Sequence, residues 1–316
     1  MTGVVLARTG STLRVQTEAG ELTAVLAGKL KHQDNGRVVA GDVVEFHPPG
    51  DGAAVIIGVR PRKSVLARRE AAGGRVGRRS QPIAANVDQV IVVAAARDPE
   101  PNLRMLDRFL VIAEANGLPS VIVLNKVELD ESTIGTFERR FAPAGYQILP
   151  TSVKGLTGLV AFRDLLRGRA SVLTGPSGVG KSSLINAFHP GLNLRIGETS
   201  ERGGKGKHTT RAALLVPLGG VIGSVGAAGY VVDTPGMREV GTWGLNPDDL
   251  GGCFPEFRPF LDGCRFDNCR HLTEPGCAVR KAAEGGAFDA DRLASYQKIY
   301  EEVNIPSWSS GSRRER

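Results

Sequence analysis

The stretch "ASVLTGPSGVGKSSLINAF", residues 170–188, decides the fold. An apolar run passes into a glycine-bearing loop, and the loop into residues with the spacing of an amphipathic helix. Gly175–Ser182 satisfies G-x-x-x-x-G-K-[ST] in the strand–loop–helix setting that the pattern requires. Its backbone, through Gly175, Pro176, Ser177, Gly178, Val179 and Gly180, can wrap so that N–H groups and a helix N-terminus face phosphates. Lys181 is placed to reach the β- and γ-phosphates and the Ser182 hydroxyl to ligate Mg²⁺, with Ser183 beside them. The plain alternative is a glycine-rich turn in a chain that has 41 glycines, and the flanking strand and helix weigh against it.

Downstream, "YVVDTPG" (230–236) reads as a strand ending in Asp-x-x-Gly. Asp233, 52 residues after Lys181 (233 − 181), is placed to hold Mg²⁺ through water, and the Gly236 N–H to sense a γ-phosphate. Between them, "GGKGKHTTR" (203–211) fits a switch segment that orders around metal and phosphate. Thr210 is expected to complete the Mg²⁺ shell; the bland reading is a basic loop.

Upstream lies a second pair of strings. "NKVE" (Asn125–Glu128) ends one apolar run and "TSVKG" (151–155) follows the next. A carboxylate at Glu128 can accept from guanine N1–H and N2–H₂, a donor pair that adenine lacks. Asn125 would brace the loop and the Lys126 stem cover the base. After Ser152, the Val153 N–H would meet guanine O6 and Lys154 pack beside the ring. These strings precede the phosphate loop, Asn125 by 50 residues (175 − 125), whereas a guanine-reading tetrapeptide ordinarily follows it.

The pattern around them is α/β. "VDQVIVVAAA" (87–96) is a continuous apolar strand, and "NLRMLDRFLVIAEANG" (102–117) places Leu103, Leu106, Phe109, Leu110 and Ala113 at helical spacing before a terminal Gly117. Alternation continues through "PSVIVLNK", "ESTIGTFERRFAPAG", "YQILPTS" and "LVAFRDLLRG", implying a parallel sheet flanked by helices with ligand loops at its carboxyl edge. Residues 1–66 read instead as short alternating strands separated by turn residues, which predicts a five-stranded OB-type barrel, with an SH3-like barrel as alternative. Boundaries follow: barrel 1–66, basic linker 67–86, a circularly permuted P-loop domain 87–245, and a cysteine-bearing C-terminal module 246–316 with helical "DADRLASYQKIYEEV" and a polar tail.

The 316 residues carry a net charge of +7. Residues 60–79 hold eight cations (Arg60, Arg62, Lys63, Arg68, Arg69, Arg75, Arg78, Arg79) against Glu70 alone. That run reads as a solvated connection or as a contact to RNA phosphate. The opening "MTGVVLARTGSTLRV" has no secretory apolar core, and runs such as "VIVVAAA" fall well short of the roughly 18 residues of a bilayer span, so a cytoplasmic location is expected. Cys264, Cys269, His271 and Cys277 have spacing C-x₄-C-x-H-x₅-C, four S/N ligands suited to one tetrahedral structural Zn²⁺; buried free thiols are the alternative. Cys253 lies outside the group.

On "QPIAANVDQ" (81–89), "NKVEL", "GPSGVGKSSLINA", "KGKHTTR", "DTPGMRE" and "CRFDNCRHLTEPGCAV" (264–279), the chain resembles the circularly permuted GTPases, and among them the ribosome small-subunit-dependent RsgA/YjeQ family. The resemblance covers nearly everything from about residue 60. It implies GTP hydrolysis to GDP in late maturation of the small (30S) ribosomal subunit, contact with 16S rRNA and zinc at the cysteine cluster; a monomer is expected because nothing in the sequence demands a dimer. It also implies a water-positioning role for His208, because Met237 occupies the place where many GTPases carry a Gln. The family usually has Asp where Glu128 stands, and the longer side chain moves the carboxylate on the order of 1.5 Å. GTP is expected to remain preferred. The competing readings are another P-loop NTPase, or an RNA-binding scaffold with a vestigial nucleotide site.

Overall fold

A computed structural model describes residues 1–31, 38–48, 52–69, 80–188, 213–218, 229–233 and 245–304. The amino-terminal strands are β1 (Thr2–Thr9), β2 (Thr12–Thr17) and β3 (Gly20–Leu26), followed by a single turn of helix α1 (Gly28–Lys31), then β4 (Val43–His47) and β5 (Ala54–Val59). They close into a barrel in the order β1-β2-β3-β5-β4, with β3 and β5 parallel and β1 sealed against β4. That is the OB topology expected from the strand spacing. Alternate residues turn inward, so Val5, Leu13, Val15, Val44, Phe46, Ala54 and Ile56 form the barrel core.

Residues 67–86 depart from the expected linker. Strands β6 (Val65–Arg69) and β7 (Ser80–Ala85) pair antiparallel, and β7 is fastened to the barrel by the Ala85 N–H donating to Ala40 O at 2.9 Å. Charge density hid the pattern: Leu66, Ala84 and Ala85 are fully buried at the edges of an otherwise polar stretch. The cationic residues 70–79 lie outside the described residues.

The central sheet contains β8 (Gln89–Ala95), β9 (Ser120–Asn125), β10 (Gln147–Pro150), β11 (Ala170–Thr174), β12 (Leu214–Pro217) and β13 (Tyr230–Asp233). Their order is β10-β9-β8-β11-β13-β12, parallel except for β12 at the edge. β8 is buried along its whole length and feeds both faces. Val90, Val92 and Ala94 pack under helices α2 (Leu103–Ala115) and α3 (Ser132–Phe141). Ile91, Val93 and Ala95 pack under α4 (Leu159–Leu166) and α5 (Lys181–Asn186). Two hydrophobic layers on one twisted parallel sheet explain why its strands read as unbroken apolar runs.

The C-terminal module holds α6 (Arg258–Leu261), α7 (Ala278–Glu284) and α8 (Ala290–Val303) around Phe254, Phe257, Phe288 and Tyr296. Val111, on the far side of α2, belongs to this same core, so α2 serves two hydrophobic layers at once.

Candidate nucleotide site and metal centre

Four expected loops emerge at one edge of the sheet because their strands are parallel. "NKVE" follows β9, "TSVKG" follows β10, the phosphate loop follows β11, and Asp233 ends β13. The permuted sequence order therefore places the base strings and the phosphate loop side by side. Their junction is Asn125, buried at 2% exposure. Its Nδ2 donates to Val179 O in the phosphate loop at 2.9 Å, and its Oδ1 accepts from Thr151 Oγ1 at 3.2 Å. Gly180 has φ +93°, and a Cβ there would stand 2.3 Å from Asn125 Nδ2, so this approach requires glycine on two counts.

Lys181 opens α5 and is 6% exposed, with its Nζ donating to the carbonyls of Gly175 (2.8 Å) and Pro176 (2.6 Å). Those carbonyls hold the ammonium group under the loop. Ser182 beside it is half-buried, whereas Ser177, Gly178 and Ser183 face solvent. Lys126 takes the left-handed conformation (φ 60°) and Glu128 follows in a single 3₁₀ turn, exposed. In the β10 loop, buried Ser152 accepts from the Gly155 N–H at 2.6 Å, which leaves Val153 half-buried and Lys154 exposed beside the base strings. The donor types fit Mg²⁺, a cation of oxygen ligands: the Ser182 hydroxyl lies beyond β11, and Asp233 ends β13, the strand paired in parallel with β11. The Asp233 side chain, His208, Thr210, Gly236 and Met237 lie outside the described residues.

One neighbour of the site escaped the sequence reading. Residues 96–102, between β8 and α2, lie across the phosphate loop: the Lys126 Nζ donates to Asp98 O, and Pro99 Cδ is 3.5 Å from where a Cβ on Gly178 would stand. The signal was "RDPEPN", a Pro- and Asp-rich turn directly after a buried strand.

The cysteine cluster converges as expected. One ligand atom from each of Cys264, Cys269, His271 and Cys277 lies within 4.8 Å of the others. His271 Nδ1 is 3.6 Å from Cys264 Sγ and 3.4 Å from Cys277 Sγ. A tetrahedron with Zn–S of about 2.3 Å and Zn–N of about 2.0 Å has S···N edges of about 3.5 Å, so the donors fit zinc. Burial pushes the Cys269 thiol up to about 12, reinforced by the neighbouring Cys277 thiol, and burial lowers His271. Sulfurs crowded in this way favour thiolate only with a cation among them. Cys277 also accepts from the Arg280 N–H at the start of α7 (3.5 Å), and Glu274 receives the N–H groups of Arg270, Leu272 and Thr273. Cys253 is buried outside the cluster, its Sγ 3.5 Å from Asp249 O.

A buried ionic group, also missed from sequence, ties this module to the sheet layer. Arg292 of α8 is fully buried. Its Nη1 donates to Asp107 Oδ1 at 2.6 Å and its Nη2 to Glu256 Oε2 at 3.1 Å. Arg140 of α3 donates to the other Asp107 oxygen at 2.7 Å. Burial opposes the Arg292 charge, yet Asp107 and Glu256 outweigh it and raise its pKa. The available signal was a charged residue, Asp107, on the apolar face of α2 between Leu106 and Phe109.

The RsgA GTPase family profile matches residues 59–243. A small ribosomal subunit biogenesis GTPase RsgA from Gemmatimonas aurantiaca is 48% identical over 309 residues, covering 96% of this chain and 97% of that protein. A protein of the same name from Moorella thermoacetica is 38% identical, with 96% and 97% covered. Among solved structures, YjeQ from Thermotoga maritima superposes with a TM-score of 0.76 at 33% identity, covering 99% of both chains. YloQ, a circularly permuted GTPase, superposes at 0.73 with 26% identity, covering 99% of this chain and 96% of that one. The chain belongs to the RsgA GTPase family.

Proposed function

We propose that this GTPase acts in late maturation of the small ribosomal subunit, binding it as a cytoplasmic monomer and hydrolysing GTP faster when bound. The observation that carries the nucleotide reading is the Asn125–Val179 hydrogen bond, which ties the first base string to the phosphate loop. In this reading Glu128 accepts from guanine N1–H and N2–H₂, the Lys126 stem covers the ring, and the Val153 N–H meets O6. Ser152 and Lys154 shape the base loop. Lys181 and the loop N–H groups of residues 177–183 offset charge on the phosphates. Ser182, Thr210 and Asp233 would hold Mg²⁺, which neutralises phosphate charge when bound. Gly236 offers its N–H to the γ-phosphate and His208 orients water, since the Met237 thioether cannot.

The ribosomal reading draws on the names of the relatives and on the surface chemistry of the zinc loop. Phe266 is 41% exposed between two zinc ligands, with the Arg265 guanidinium 5.6 Å from its ring centroid. An exposed aromatic ring beside an arginine suits stacking on an unpaired base of 16S rRNA. GTP hydrolysis measured with and without purified small subunits, with ATP as control, tests the proposal. Stimulation specific to GTP is expected; unchanged turnover with the subunit, or equal use of ATP, overturns it.

A further inference from the structure

Among the described residues Arg292 is the largest fully buried side chain, and no step of GTP hydrolysis requires it. What it joins gives it a use. Asp107 belongs to α2, Arg140 to α3, Glu256 to the C-terminal module, and Arg292 itself to α8. Asp107 is divided between both arginines, Glu256 takes the rest of the Arg292 fork, and the exposed Asp291 carboxylate stands 3.9 Å from Arg140 Nη1 at the rim. From the module side Arg292 thus meets α2 at Asp107 and α3 at the Phe141 ring, whose centroid lies 5.5 Å from its guanidinium carbon.

Both helices lead out of nucleotide-site loops. α2 follows residues 96–102, and its first turn is capped by Asn102 Oδ1, which accepts from the Met105 N–H at 3.0 Å. α3 follows "NKVELDE". At the site the two leads hold each other. The Ala96 N–H donates to Asn125 O at 2.8 Å, Thr133 Oγ1 donates to Ala96 O at 3.4 Å, and the Lys126 Nζ donates to Asp98 O. Pro99 rests on the phosphate loop at Gly178. A change in the distance between α2 and α3 at Asp107 and Arg140 therefore acts on Lys126 and on the loop that carries Glu128.

We propose that Arg292 is a positioning residue for the nucleotide base site, through which the zinc-bearing module sets how long guanine nucleotide stays bound. The proposal rests on Lys126 and Glu128 forming that site. It differs from control through the chain that follows Asp233, which reaches Cys264 after 31 residues (264 − 233) and would act on hydrolysis. The Arg292 route acts on residence. The two make separable predictions.

The test is the dissociation rate of fluorescent GDP beside single-turnover GTP hydrolysis, on full-length protein with zinc content and melting checked. Arg292→Lys keeps the charge but loses the two-armed fork that spans Asp107 and Glu256. Dissociation roughly 3- to 30-fold faster is expected, with single-turnover hydrolysis within about twofold of wild type. Lys298→Ala, on the exposed side of α8, should change neither rate. If Arg292→Lys fails to retain zinc, Arg140→Lys, which weakens the hold of α3 on Asp107 and on Asp291 of α8, provides the reading with the same expected rise in dissociation. Unchanged dissociation in the zinc-replete variant, or slowed hydrolysis with unchanged dissociation, overturns the proposal. Failure of the wild-type protein to bind GDP would instead overturn the base-site assignment.

Discussion

Asn125 and Gly180 carry more of the site than their size suggests. Residue type and spacing put one in a guanine-type string and the other in a phosphate-type loop. Their contact was not legible there, because it depends on which parallel strands lie close, a property of the whole sheet. Gly180→Ala should therefore damage both strings together. The added Cβ meets Asn125 Nδ2 at 2.3 Å in a backbone conformation that disfavours side chains, so about 1–3 kcal/mol of stability should be lost. GDP affinity should fall at least about tenfold, measured by fluorescence titration beside a melting curve. Glu128 poses the opposite problem: it is exposed and free to adjust, so its length is an affinity question rather than a folding one. Glu128→Asp should leave the melting temperature within about 1 °C and strengthen the preference for GDP over ADP by roughly fivefold, one hydrogen bond's worth of better alignment. An unchanged ratio of the two dissociation constants would show that the loop already absorbs the extra methylene.

At the scale of elements, periodicity served well where one rule governed a segment. β8, β9 and β11 read as apolar runs because both faces are covered, and α2 read as helix from its Leu and Phe spacing. The reading failed at β6 and β7, whose few buried residues sit among cations and whose pairing needs the barrel as a backing. The zinc loop lies between these cases: ligand spacing was visible, while the exposed outer surface was not. Arg265 is anchored through its N–H to Gly276 O at 3.1 Å and Cys269 through its N–H to Phe266 O at 3.1 Å, so the loop presents Phe266 on a fixed base. Phe266→Ala should keep zinc content and intrinsic GTP turnover, because the ring faces outward. Its affinity for the small subunit should drop roughly 5- to 100-fold, the value of one lost stacking contact, and Phe266→Trp should restore it. Co-sedimentation with subunits at several salt concentrations separates this loss from a change in charge contacts.

For the whole molecule, sequence marked out a barrel, a basic linker and a P-loop domain, and boundaries alone do not say how barrel and sheet pack. β1 carries an irregularity between Val5 and Ala7, and the consecutive residues Val5 and Leu6 are both fully buried. Val5 points into the barrel with Leu13 and Val15, whereas Leu6 points outward into the layer that contains Leu215 of β12, Tyr230 and Val232 of β13, and the inner faces of α2 and α3. A single strand thus supplies two cores, a fact that alternation alone cannot reveal because the outer face of a barrel strand usually meets water. Leu13→Ala and Leu6→Ala remove the same number of methyl-bearing atoms from fully buried positions, and each should cost about 2–5 kcal/mol. They differ in what they should uncouple. Leu13→Ala weakens the barrel alone, so GDP should raise the melting temperature of this variant's sheet domain as much as it does in wild type. Leu6→Ala leaves a cavity in the layer shared with the sheet, so the transition that GDP stabilises should itself move down by roughly 4–20 °C. Calorimetry with and without saturating GDP reads both effects. Identical shifts of the GDP-sensitive transition in the two variants would show that barrel and sheet unfold as one unit, and absence of any shift in Leu6→Ala would show that the shared layer contributes nothing to holding them together.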